Sequence, residues 1–180
     1  MFDPTIYENL KVVLEGAVYD LDLAGVILVT NRVDRVELST MSRYYSIQFQ
    51  EKEINDSRAL AELRLVASTE DLAFEIMGKE DQSPGCDFEV LFHVQIDDDR
   101  ECTELEQSLL SIWQNRPSIQ QEVKYEYNSH ERKLVLKSGF NNEIRLHFGR
   151  KIDEGQIEDL KEIIDLTLHS VQMINDFFRN

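Results

Sequence analysis

DEGQIEDLKEIIDLTLHSVQMINDFF, residues 153–178, is the segment that constrains the architecture of this chain most strongly. Its apolar residues recur every three or four positions, which predicts a long helix from about Asp153 to Phe178. They span well over half of the helix circumference, whereas a helix on one sheet needs a stripe of little more than about 100°. We expect the extra width to be covered by other helices of the chain, the commoner arrangement, or by a second copy.

This wide apolar face is also the first candidate for partner binding. If the chain does not cover it completely, the apolar side chains would meet a protein partner or a second copy. The candidate contact residues are Ile163, Val171, Ile174, Phe177 and Phe178.

Two further helices are predicted upstream. The N-terminal helix has Asp3 as its cap and Pro4 at its first position, and it should end between Asp20 and Gly25. The middle helix should run from about Glu101 to Asn115.

The middle helix has signals at both ends. Thr103 and Glu106 have the spacing of a capping box, and Pro117 would end the helix. The acidic residues just before it, from Asp97 to Asp99, favour the positive end of a helix, and we prefer this interpretation to a calcium loop.

Alternation of apolar and polar residues predicts most strands. The clearest runs from Phe88 to Ile96, and shorter runs are expected at residues 26–30, 45–49 and 61–67. Residues 31–41 fit a strand or a helical turn equally well. Residues 69–77 fit a short helix, capped by Ser68 or Thr69, or one more strand.

The region after the middle helix predicts antiparallel pairing. Alternating runs at 123–127, 133–137 and 144–148 are too close together for parallel crossovers, so they predict a meander of three strands. The chain as a whole is then an α+β protein with a largely antiparallel sheet of six to eight strands and N-terminal, middle and long C-terminal helices. We expect one domain over residues 1–180, with residues 78–87 as the one candidate boundary.

Composition excludes several classes of function. The formal net charge of −16 disfavours binding to nucleic acid or to an anionic membrane. No signal peptide and no apolar run of about 20 residues is present, so a cytoplasmic protein is expected. Cys86 and Cys102 do not form a metal or disulfide pattern, and the four histidines are dispersed. We therefore predict no catalytic residue, metal site or cofactor.

One region departs from the overall acidity. Between Val123 and Lys151 there are seven basic residues against three acidic ones. Lys124, Arg145 and His147 fall on the polar side of their strands, where they would dock an acidic partner or pair with acids on neighbouring strands. We favour the second interpretation, since most exposed charge is unspecific.

The order of elements and the acidity together resemble the small acidic chaperones and YbjN-type proteins that share a type III secretion chaperone-like fold. The resemblance is one of layout and charge, and the strands before Gly78 depart from it. The leading hypothesis is a non-enzymatic, chaperone- or adaptor-like module that self-associates or binds a protein. The alternatives are a hydrolase or transferase with a site assembled from Asp20, His93, Asp97 and His147, and an acidic inhibitor of a basic protein.

Overall fold

The computed structural model describes residues 5–52, 57–77, 84–124, 127–128, 133–134 and 139–179. The helices among them are α1 (Thr5–Leu23), α2 (Thr69–Met77), α3 (Arg100–Ile112) and α4 (Ile157–Phe177). The strands are β1 (Ile27–Glu37), β2 (Ser42–Glu51), β3 (Ala59–Ala67), β4 (Asp87–Ile96), β5 (Ser118–Lys124), β6 (Tyr127–Asn128), β7 (Lys133–Leu134) and β8 (Phe140–His147). The predicted α+β class and the three main helices are confirmed.

Six strands form one antiparallel sheet in the order β1-β2-β3-β4-β8-β5. The predicted antiparallel pairing of this region is confirmed, and residues 127–128 pair with residues 133–134 as the meander requires. The last step of the predicted meander is wrong, because β8 pairs with β5. Strand β5 begins already at Ser118, and it reaches β8 directly, with Ser118 opposite His147. Strands β6 and β7 form a separate two-stranded sheet, and residues 135–137 of the predicted middle strand lie outside the described residues.

Residues 31–41 and 69–77, whose sequence patterns were ambiguous, have defined secondary structure. Strand β1 continues to Glu37 opposite β2, with a bulge between Val29 and Asn31. Residues 69–77 form α2, and Ser68 caps it: the Ser68 amide donates to Asp71 Oδ2 at 2.9 Å and the Asp71 amide donates to Ser68 Oγ at 3.2 Å. This reciprocal pair is a capping box, which stabilises a helix too short to be stable alone.

The end of α1 and the start of α3 are each set by residues close to them in the sequence. Gly25, at φ 77°, ends α1, and the Val26 amide donates to the Leu21 carbonyl at 3.0 Å. The predicted capping box at Thr103 is wrong, because α3 begins at Arg100 and the Arg100 amide donates to Asp98 Oδ1 at 2.9 Å. Asp98 in the acidic loop therefore accepts the first amide of α3, whereas Asp99 at the N-cap makes no side-chain capping bond. Asp3 and Pro4 lie outside the described residues.

Helices α1, α3 and α4 pack on one face of the six-stranded sheet and enclose the core. The core unites one stripe of each helix with alternate residues of the strands. Its main members are Tyr7, Leu10, Leu14, Val18, Ile47, Phe49, Leu63, Leu65, Val90, Phe92, Leu105, Leu109, Ile144, Leu146, Leu160, Ile164, Val171 and Ile174. Strands β3 and β4 pair directly, so both flanks of the 78–87 segment belong to one sheet.

Most of the wide apolar face of α4 is covered within the chain, and only its margin is half-buried. Helix α4 contacts α1 on one side, α3 on the other and strands β2 and β3 beneath. Trp113, just after α3, is buried and donates from Nε1 to Ser170 Oγ at 3.0 Å. The prediction that other helices supply the cover is confirmed.

Among the described residues, no helix combines the length and the apolar character needed to cross a membrane.

Candidate functional site

The open face is the side of the six-stranded sheet that points away from α1, α3 and α4. Lys124, Arg145 and His147 lie there, as predicted, and each has an acidic neighbour on its own sheet. Lys124 Nζ lies 3.2 Å from Glu143, Arg145 Nη2 lies 2.8 Å from Glu143, and His147 Nδ1 lies 3.6 Å from Glu89. The Lys124 and His147 contacts join neighbouring strands, as in cross-strand pairing, whereas the Arg145 contact lies along β8 itself.

Glu62 is the centre of the open face. Its side chain is buried, with 3% of the residue exposed, and its carboxylate is hydrogen-bonded by three neighbouring side chains. It accepts from Arg64 Nε at 2.6 Å, from Gln48 Nε2 at 2.9 Å, and it lies 2.9 Å from His93 Nε2. Burial alone would raise the pKa of Glu62, but the hydrogen bonds from His93, Arg64 and Gln48 outweigh it and hold the pKa well below its ordinary value.

His93 and His147 have little of the geometry of a catalytic site. His93 Nε2 is engaged by Glu62, and its Nδ1 lies 4.0 Å from Glu143. In the described part of the chain, no hydroxyl or thiol group is hydrogen-bonded to either imidazole. The same part holds no cluster of three or more side chains suited to a metal ion.

The residues considered for an assembled catalytic site lie in four different clefts. His93 lines a polar cleft of 620 Å³ beside β4 and β8, and His147 lines another next to Lys151. Asp97 faces the end of α4, and Asp20 lies between α1 and α4. The structure therefore does not bring these four side chains together.

The predicted contact residues of α4 divide into two groups. Val171 and Ile174 are fully buried in the chain's own core, which leaves them no surface to offer in this fold. Ile163, Phe177 and Phe178 are half-buried at its margin. The two phenylalanine rings meet edge to face with centroids 4.9 Å apart.

The outward sides of α3 and α4, with the loop before α3, carry ten carboxylates. We define the acidic helical surface as the outward carboxylates of α3, of the loop before it and of α4. Its members are Asp97, Asp98, Asp99, Glu101, Glu104, Glu158, Asp159, Glu162, Asp165 and Asp176. Five of these ten lie within 4.0 Å of an arginine. The other five, Asp99, Glu101, Glu104, Glu158 and Asp165, have no cation at that distance among the described residues.

A groove of about 410 Å³ runs between α1 and α4 beside this surface. We call it the α1–α4 groove. Apolar side chains form its floor, and charged side chains stand at its rim. The floor consists of Val13, Ala17, Leu21, Ile157 and Ile164, and the rim consists of Asp20, Glu158, Lys161 and Asp165.

The sequence contains a partial signal for this groove. Val13, Ala17 and Leu21 belong to the apolar stripe of the N-terminal helix, and they lie at the edge of that stripe. Because α4 packs beside α1 and not over these residues, Val13 remains 36% exposed. Which edge of a stripe stays open depends on the neighbouring helix, and the sequence does not specify that neighbour.

No protein-family model matches this chain, and the comparisons with curated proteins and with solved structures find no match either. Its function is therefore argued from its surfaces.

Proposed function

We propose that this chain is a protein-binding module whose acidic helical surface docks a basic protein partner. The observation that carries the proposal is the excess of carboxylates over cations on that surface, half of them without a cationic neighbour within the described ranges. Unpaired surface charge of one sign raises the rate at which an oppositely charged partner associates.

The same charge argues against a second copy as the main partner. The formal net charge of the chain is −16, so two copies repel each other before they touch. A dimer through the acidic helical surface would also place like charges in contact, which costs several kcal/mol in a close interface. A basic partner removes both costs.

The open face is a poorer docking surface for a charged partner. The five carboxylates on its strands β3, β4, β5 and β8 all lie within 4.0 Å of a basic or histidine side chain. A partner would have to break these contacts before forming its own, so the net gain would be small.

The test uses two variants with the same change in charge. The helix variant carries Glu158→Gln, Glu162→Gln and Asp165→Asn, and the sheet variant carries Asp87→Asn, Glu89→Gln and Glu122→Gln. The probe is a fluorescent 12-residue peptide of lysine, glycine and serine, titrated by anisotropy at low and high salt. At a few tenths of a kcal/mol per exposed charge, we expect the helix variant to bind the peptide roughly fivefold more weakly than the wild type.

The sheet variant should stay within twofold of the wild type, and wild-type affinity should fall as salt increases. Equal weakening of both variants would show that only the total charge matters, and it would overturn the proposal. Salt-independent binding would do so as well.

A cellular experiment extends the test to a natural partner. A photo-crosslinking amino acid is placed at position 162 on the acidic helical surface or at position 122 on the open face. The proposal expects an adduct with a basic protein from position 162 and little or none from position 122. An adduct mainly from position 122, or with a second copy of the chain, would contradict it.

A further inference from the structure

We infer that the α1–α4 groove, beside the acidic helical surface, selects the partner segment, and that it accepts the apolar stripe of a basic amphipathic helix. This inference rests on the proposed function and adds the chemistry of the partner segment. The groove has an apolar floor and a rim that is mainly acidic. An amphipathic helix with one apolar and one basic face matches both.

The floor has apolar surface that the chain leaves open. Val13 is 36% exposed, and Ala17, Leu21 and Ile157 are half-buried. A side chain inserted between α1 and α4 would remove this surface from water, which contributes about 25 cal/mol per Å². From Val13 to Leu21 the floor extends about 12 Å along α1, the length of two helical turns. An incoming helix would cover it with residues at positions i, i+4 and i+7.

The rim specifies the charge of the incoming helix. Asp20, Glu158 and Asp165 are exposed, and within the described residues none of them has a cation within 4.0 Å. Lys161 is the opposing charge at the same rim. Lysine or arginine side chains that flank the apolar stripe would face the three carboxylates. An acidic helix, or a second copy of this chain, would be repelled.

The experiment compares two peptides of identical composition. One is an 18-residue leucine–lysine peptide with helical amphipathic spacing, and the other is the same peptide scrambled so that its leucines do not share a face. Affinity for the full chain is measured by calorimetry. We expect the amphipathic peptide to bind roughly tenfold more tightly, and equal affinities would overturn the inference.

Two neighbouring residues of α1 supply a matched pair of variants. Val13 lines the groove, whereas Val12 is 63% exposed and does not line it. Val13→Gln should weaken binding of the amphipathic peptide roughly fivefold, and Val12→Gln should leave it within twofold. Equal effects of the two substitutions would contradict a contact in the groove. Circular dichroism melts establish that both variants are folded.

A third variant is expected to bind the amphipathic peptide more tightly, which loss of folding would not explain. Lys161→Gln removes the cation at the rim, and we expect it to strengthen binding of the amphipathic peptide about twofold to threefold. Unchanged or weaker binding would count against the inference.

The outcomes separate this inference from the proposed function. If the groove is not the site but the acidic helical surface is, both peptides bind equally in a salt-dependent way and Val13→Gln has no effect. If the proposed function is wrong, neither peptide distinguishes the helix variant from the sheet variant.

Discussion

On the open face, the five carboxylates of β3, β4, β5 and β8 all have a basic or histidine neighbour within 4.0 Å, whereas half of the ten carboxylates on the acidic helical surface have none among the described residues. The carboxylates of these four strands are paired, and half of those on the acidic helical surface are not. The number of surface charges alone does not reveal this difference.

The largest effect is expected in the core beneath the acidic helical surface. Ile174 is 0% exposed, so Ile174→Ala should lower the free energy of unfolding by about 3–4 kcal/mol through the cavity it leaves. Ile163→Ala, at a half-buried site of the same helix, should cost roughly half as much. Urea unfolding measures both. A cost below about 1 kcal/mol at Ile174 would show that this residue is not part of the chain's own core.

The next largest effect is expected on the open face. Glu62→Gln keeps the shape of the side chain but leaves Arg64 and His93 without their carboxylate, so we expect a loss of about 2–3 kcal/mol in unfolding free energy. Glu122→Gln is the control, because Glu122 is exposed and lies 4.0 Å from the Lys124 ammonium. That variant should change stability by less than about 0.5 kcal/mol. Similar losses in the two variants would show that the buried Glu62 carboxylate stabilises the fold no more than the exposed Glu122 does.

The pH dependence of stability gives a third test. The folded-state pKa of Glu62 lies below its unfolded value, so its stabilisation is present at neutral pH and is lost as the pH falls below the ordinary range of a glutamate. The stability difference between wild type and Glu62→Gln should therefore shrink between pH 7 and pH 3, as measured by urea unfolding at both values. A constant or growing difference would contradict a hydrogen-bonded carboxylate.

The smallest effect is expected at the predicted basic docking residues. Lys124 is exposed and pairs with Glu143 at 3.2 Å. Lys124→Ala should change the unfolding free energy by less than about 1 kcal/mol, and it should leave affinity for the lysine–glycine–serine peptide within twofold. A large change in peptide affinity would show that the open face takes part in docking.

The sequence predicted local features well where they depend on neighbours along the chain. The periodicity of residues 153–178 predicted α4, and alternation predicted β4. Helix α2 was predictable too, because Ser68 and Asp71 have the spacing of a capping box, a signal stronger than the mixed periodicity of the segment.

Features that depend on distant contacts were not predictable. Strand β8 lies between β4 and β5, and no short-range spacing indicates this order. Alternation placed Glu62 on the polar side of its strand, but its burial depends on Gln48 and His93 from other strands. The α1–α4 groove likewise depends on how two helices far apart in sequence pack together.

We expect a basic partner to bind the acidic helical surface and the α1–α4 groove beside it, and not the open face. Nuclear magnetic resonance of the labelled full chain, titrated with the amphipathic leucine–lysine peptide, distinguishes the two. We expect shifts in the backbone amide signals of Val13, Leu21, Ile157 and Asp165, and no change in the signals of Gln48, Arg64 and Gln120. Shifts concentrated on Gln48, Arg64 and Gln120, or spread evenly over both sides, would contradict it.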